Sequence, residues 1–283
     1  DFIKGSAGTD QLFGNHGSDR IEGNLGADFI AGNDQPDLIY GDEGNDTLYG
    51  GTGNDTLRGG ENDDTIYGDA GDDLIIGYTG SDSLYGNEGD DVIYGGEQPD
   101  QIDGGPGNDR IYGELGSDVL SGGTGNDVIE GGAGDDTLSG DEGDDSLYGD
   151  GGQDTINGGL GDDFLFAGDG VSNLLNGDDG DDVLVGSDEG DEDPKFGDTT
   201  YFGDRLNGGD GDDSIDGLGG ADEIDGGLGN NVIRGGTHVD KIINGIDQAP
   251  SALFQMPTGP DRRGLWSELS RSASLGGLTS VGG

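Results

Sequence analysis

The sequence predicts an all-β coil in which two nine-residue repeats make each turn, and three observations carry that prediction. An Asp recurs every nine residues from Asp1 to Asp163 without a miss. An Ile or Leu stands two residues after every repeat position, from Ile3 to Ile242. Glycine supplies 67 of the 283 residues and precedes the repeated Asp by five in nearly every copy. Self-similarity sustained over this length means stacked units, each burying its apolar side against its neighbours.

With the Asp numbered as position six, the chain holds 26 repeats, with Asp there in 24 and Asn in two, Asn173 and Asn231. One extra residue near Phe166–Ala167 shifts the frame, and 13 extra residues separate Asp182 from Asp204. Position one is Gly in every repeat that has it except at Thr199, and position four is Gly in 19 of 25. The pattern is G-x-x-G-x-D-x-[IL]-x, as in Gly50-Gly51-Thr52-Gly53-Asn54-Asp55-Thr56-Leu57-Arg58. Glycines at one and four permit φ > 0, so the first six residues are expected to form a tight turn. The last three carry the Ile or Leu between strand-compatible residues, and alternation turns that residue inward. One inward residue per nine cannot make a core alone. Two facing rows of short strands can, if each repeat is half a coil, and stacking then sets Asp10 over Asp28 and Asp19 over Asp37.

Charge decides what such a stack requires. Asp plus Glu number 62 against 11 Lys plus Arg, for a formal net charge of −51, and only 28% of residues are hydrophobic. Burial alone cannot offset the conformational entropy of such a chain, so it is either disordered or folded by something positively charged. The charge sign excludes nucleic acid as the main partner. No run of eighteen apolar residues could span a membrane, and the absence of cysteine removes disulfides and thiolate sites. Carboxylates and turn carbonyls are hard oxygen ligands that suit Ca²⁺. The candidate ligands are Asp10, Asp19, Asp28, Asp46, Asp55, Asp64, Asp73, Asp82, Asp91, Asp109, Asp118, Asp127, Asp136, Asp145, Asp154, Asp163, Asp182, Asp204, Asp213 and Asp222. One ion per pair of stacked turns gives roughly twenty Ca²⁺, which would neutralise about 40 of the 51 negative charges.

The repeat resembles the RTX nonapeptide, G-G-x-G-x-D-x-[LIF]-x, of secreted bacterial proteins, over residues 1 to about 243. The resemblance implies a parallel β-roll (a β-solenoid) with calcium between successive turns on the same side. It also implies unfolded passage through a type I secretion channel and folding outside the cell, where calcium is millimolar. Departures matter. Gln35 and Gln98 replace the fourth-position Gly before Pro36 and Pro99, so the turns of Asp37 and Asp100 are expected to be extended there and to bind calcium weakly or not at all. Asn62 is a milder change, while Val171 with Asn173, and His238 before Asp240, place the later turns in question.

The organisation that follows is a roll over 1–186, an acidic insertion over 187–203, a continued roll over 204–247 and a tail over 248–283. The insertion reads as a solvated loop, with a further cation or partner site as the alternative. The tail sets Leu265, Trp266 and Leu269 at helix-compatible spacing. It is expected to cap the roll and carry the secretion signal, or to dock a neighbouring subunit. The first residues are the back half of a repeat, which suggests a piece of something longer.

Seven of the nine tyrosines fall at position nine, so Tyr49, Tyr67 and Tyr85 are expected to stack on one sheet and Tyr94 beside Tyr112 on the other. Such rows stabilise a sheet, or offer a contact surface to a neighbouring protein or saccharide. No H-E-x-x-H or G-x-S-x-G occurs, so no enzyme is visible. The EF-hand-like run from Asp212 to Glu223 lies inside the repeat register and is accidental. The sequence therefore favours a structural component of a surface layer, adhesin, sheath or filament, about 60 Å long from thirteen coils. The alternative is the calcium-folded secretion module of a larger exoenzyme or toxin. Ice binding is disfavoured because position three (Ala7, His16, Leu25, Asp34, Glu43, Thr52, Glu61) makes no regular row.

Overall fold

The computed structural model describes residues 1–170, 172–187, 203–236 and 240–244. Among them run 26 short strands, from β1 (Phe2–Lys4) to β26 (Lys241–Ile243), one for each repeat. The odd-numbered strands form one 13-stranded sheet and the even-numbered strands a second, so the chain crosses from sheet to sheet at every turn. All pairings are parallel, with an eighteen-residue register everywhere but across the two breaks in the repeat: Ile93 lies between Ile75 and Ile111. Two repeats per coil is thus the observed architecture, a parallel β-solenoid.

Its core is a double file of the position-eight residues. Every one from Ile21 to Ile233 is at most 1% exposed, and Ile3, Leu12 and Ile242 at the ends pack against the same file. The breaks in the repeat leave this file intact. The extra residue near Ala167 lengthens the step to Ile156↔Leu175, and the insertion lengthens it to Leu175↔Leu206, with inward residues still paired. Ala167 itself is fully buried.

The division into turn and strand differs from the sequence expectation. Most strands have six residues: β6 (Thr47–Thr52) starts at position seven and continues through position three of the next repeat. Inward-facing positions are then eight and one, Leu48 and Gly50, and the turn shrinks to positions four to six. Left-handed φ falls at positions two and four, as at Gly51 (111°) and Gly53 (128°), and not at position one. Position-one glycine is demanded by space. A Cβ on Gly50 would stand 2.5 Å from Asp55 Oδ2 and 2.6 Å from the Gly68 carbonyl oxygen.

The expectation for the two Gln-Pro turns is also corrected. Gln35 and Gln98 take the left-handed conformation, at φ 72° and 76°, despite the following prolines. The coils on either side impose it: Asp37 accepts from the Asp19 amide at 2.7 Å and donates to Asp55 Oδ1 at 2.7 Å, as any other repeat does. Strain of this kind persists only where surrounding structure over-determines it. Gln98→Gly should therefore stabilise the calcium-loaded protein by about 1 kcal/mol, the lower end of the left-handed penalty. Urea unfolding checks this, and an unchanged midpoint would show an unstrained turn.

The compact unit Asp1–Ala249 contains all of these strands. Val171, His238, residues 188–202 and the tail lie outside the described residues, as do the expectations attached to them. Among the described residues no helix is long and apolar enough to cross a membrane.

Candidate metal centres

Each repeated Asp ends a turn immediately before a strand, which fixes its carboxylate in the gap between coils. Oδ1 accepts the amide of the Asp one coil earlier: Asp55 N–H donates to Asp73 and Asp73 N–H to Asp91, both at 2.7 Å. The same bond runs along the other edge from Asp46 to Asp64 to Asp82, at 2.8 Å. Two columns of carboxylates result, one beside each sheet. Strands 4.7–4.9 Å apart set the spacing within each column.

The second oxygen is left open. Twenty of these Asp have a buried Oδ2 with no hydrogen-bond partner. They comprise eighteen of the candidate ligands, all but Asp10 and Asp204, together with Asp37 and Asp100, which the Gln-Pro argument had set apart. A buried unpaired carboxylate oxygen is costly, and twenty in two files cannot be accidental. Beside each lies the position-one glycine and the main-chain carbonyl of the next coil, as Asp55 Oδ2 and the Gly68 carbonyl flank Gly50.

Electrostatics point the same way. Burial, against the opposing backbone hydrogen bond and with neighbouring carboxylates adding to it, pushes Asp64, Asp73, Asp100, Asp163 and Asp222 up to about 8. The same causes hold Asp109, Asp127, Asp136 and Asp182 at about 7. Asp46, Asp55, Asp82, Asp91, Asp145 and Asp154 reach about 6. Without a countercharge, the coil would hold protons at neutral pH.

Among the described residues no three acidic, imidazole or thiol side chains converge on a point. A cation between coils must therefore draw on single carboxylate oxygens and main-chain carbonyls. That donor set fits Ca²⁺, which takes six to eight oxygens with loose geometry, and fits no soft or imidazole-seeking metal.

Three features escaped the sequence reading. Position five builds an exposed ladder of opposite sense, longest on the edge where Asn108 N–H donates to Asp90 Oδ1 at 2.8 Å and Asn126 N–H to Asn108 Oδ1 at 2.9 Å, and shorter on the other, where Gln153 N–H donates to Asp135 Oδ1 at 2.9 Å. The recurrent Asn or Asp just before the repeated Asp was its signal. Gly186, not Thr199, is position one of the Asp204 repeat, since its Cβ would meet Asp204 Oδ2 and the Gly217 carbonyl. The insertion splits that repeat, which hid the true glycine. Third, position two carries the left-handed residues, Asn24 and Asn33 among them at φ 79°, and its bias to Gly, Asn and Asp was legible.

The tyrosine rows are where the sequence placed them. Tyr49, Tyr67 and Tyr85 stack at 4.8 and 4.9 Å, and Tyr94 on Tyr112 at 4.8 Å. On the odd sheet the Arg20 and Arg58 guanidinium groups lie 4.7 and 5.3 Å from the Tyr40 ring centroid, a cation–π arrangement.

The model of the RTX calcium-binding nonapeptide repeat matches in overlapping blocks from 1–30 to 139–174, and again over 198–246. The chain belongs to the RTX calcium-binding nonapeptide-repeat family. Calcium binding by this RTX coil follows from that membership. Among solved structures, the RTX coil is similar to a hyperactive, Ca²⁺-dependent, β-helical antifreeze protein from an Antarctic bacterium, at 20% identity over 83% of each chain with a TM-score of 0.48. No curated protein matches it. Position three on the even sheet runs His16, Asp34, Thr52, Ala70 and, further on, Pro106, Thr124, Glu142 and Leu160, a chemically irregular row.

Proposed function

We propose that this chain is a secreted, calcium-rigidified rod that serves as a structural component of a bacterial cell surface or extracellular matrix and catalyses no reaction. The observation that carries the reading is the pair of carboxylate columns with twenty open, buried Oδ2 atoms. The repeated Asp residues hold roughly twenty calcium ions between coils, each contributing Oδ2 while Oδ1 keeps the inter-coil hydrogen bond. When bound, Ca²⁺ supplies positive charge and oxygen coordination that cross-link adjacent turns. Charge repulsion keeps the chain unfolded where calcium is scarce, which suits export through a type I channel, and millimolar calcium outside folds it. The outer faces and the tyrosine rows are open to self-association or to neighbouring surface proteins and saccharides.

Negative-stain electron microscopy of the purified chain, with excess calcium and with chelator, tests the structural role. Filaments or sheets are expected only with calcium. Isolated rods of about 60 Å at all concentrations would overturn it and favour a module of a larger exoenzyme or toxin.

A further inference from the structure

Two candidate ligands, Asp10 and Asp204, lack the open oxygen that the other eighteen share, and the reason is the same in both. Asp204 Oδ2 accepts the Ser187 amide at 2.7 Å and the Ser187 hydroxyl at 2.9 Å. Asp10 Oδ2 accepts the Ser6 amide at 2.7 Å and the Ser6 hydroxyl at 3.0 Å. Ser6 follows Gly5, and Ser187 follows Gly186, so both serines occupy position two of a repeat. They are the only serines at that position. Most other repeats place Gly, Asn or Asp there with left-handed φ, whereas neither serine has positive φ.

The backbone difference explains the pairing. With ordinary φ at position two, the amide and hydroxyl both reach the carboxylate across the turn. In the left-handed form at Gly51, φ 111°, Asp55 Oδ2 is left without a donor. The serine thus satisfies from within the chain the oxygen that elsewhere is open to a cation.

We infer that the turns of Asp10 and Asp204 are closed by Ser6 and Ser187 and hold no calcium. This rests on the calcium reading of the other turns and replaces the expectation that these two Asp are ligands. Next to Asp204, Asn173 extends the gap. Its Oδ1 accepts the Asp154 amide at 2.7 Å, so Nδ2 takes the place of the open oxygen, and an N–H cannot ligate a cation. Asn231 shows what such an amide does, donating Nδ2 to the carbonyl of its own position-one residue, Gly226. The column beside the even sheet therefore carries calcium up to Asp154, skips two turns and resumes at Asp222. The column beside the odd sheet runs on through Asp163, Asp182 and Asp213, all with open Oδ2. The coil is not cut; it is held there on one side by calcium and on the other by protein donors, where the acidic insertion enters the repeat.

Calcium per chain, measured by equilibrium dialysis and elemental analysis of the 283-residue chain at saturation, tests this. The double variant Ser6→Gly, Ser187→Gly gives position two its commonest residue and should bind about two more ions than wild type. Asp204→Asn should lose none, while Asp136→Asn, at an open turn of the same column, should lose at least one. An unchanged count in the glycine double variant, or an equal loss in Asp204→Asn and Asp136→Asn, would overturn the inference. A wild-type chain that binds no calcium, with both Asp variants unchanged, would overturn the calcium reading and this inference with it.

Discussion

Removing calcium at about pH 7.5 is expected to abolish the strand signal in far-ultraviolet circular dichroism, and lowering the pH to about 5 without calcium is expected to restore much of it. Both halves follow from the buried columns. In the unfolded chain these carboxylates titrate near 3.9. In the calcium-free coil, burial lifts them to about 6 at Asp46 and Asp55, about 7 at Asp109 and Asp127, and about 8 at Asp64 and Asp73. The folded state therefore binds more protons than the unfolded state between about pH 4 and 8, and stability falls as pH rises through that window. At neutral pH the coil needs calcium because it would otherwise have to bury many ionised carboxylates at once. Below about pH 6 protons compete for the same oxygens, so calcium bound per chain should fall with acidity while the coil needs less of it to stay folded. At neutral pH the folding midpoint is expected in the range of about 10⁻⁴–10⁻³ M calcium, with a steep transition because each coil is stable only against its neighbours. A strand-rich spectrum in chelator at pH 7.5 would refute the account. Failure to regain structure in acid would show that something other than buried charge keeps the calcium-free chain open.

How much of this was legible beforehand depended on whether a position is chosen by type or by space. Position eight is chosen by type: only Ile and Leu occur there, so the double file from Ile21 to Ile233 and the half-coil per repeat could be derived before any coordinates. The repeated Asp was equally plain, since a uniform carboxylate needs a partner. The glycines misled because the same residue serves two ends. Gly53 is a conformational glycine with φ of 128°, as expected. Gly50 is inside a strand and is small because a carboxylate and a carbonyl crowd it. Composition cannot separate these cases, so the strand was drawn three residues too short. Gln35 and Gln98 failed for the opposite reason: local preference argued against the turn, and coils on both sides outweighed it. Ser6 and Ser187 gave no such signal, because the insertion hid the register of Ser187, and the part both play needed the hydrogen bonds to Asp10 and Asp204.

That distinction gives the second large expected effect, a comparison of two glycine-to-alanine changes. Gly50→Ala places a methyl group against Asp55 Oδ2 at 2.5 Å and the Gly68 carbonyl oxygen at 2.6 Å, closer than real Cβ contacts come. Neither neighbour can yield cheaply. Asp55 is pinned through Oδ1 by the Asp37 amide at 2.7 Å, and its own amide is committed to Asp73. Relief would require the coils to separate, which would break strand pairing between Thr47–Thr52 and Thr65–Ala70. A loss of about 4 kcal/mol in the calcium-loaded protein is expected, at the upper end of single substitutions, together with the loss of at least one bound calcium. Gly8→Ala is the control. Gly8 has φ of 112° but nothing within 4 Å of the added methyl, so only backbone strain of about 1–2 kcal/mol should appear, with no change in calcium bound. Urea unfolding of both variants, with calcium counted at saturation, separates the explanations. Equal losses would mean that position-one glycine is kept for its conformation after all. A large loss confined to Gly50→Ala, accompanied by a missing ion, would tie glycine, carboxylate and carbonyl into one site.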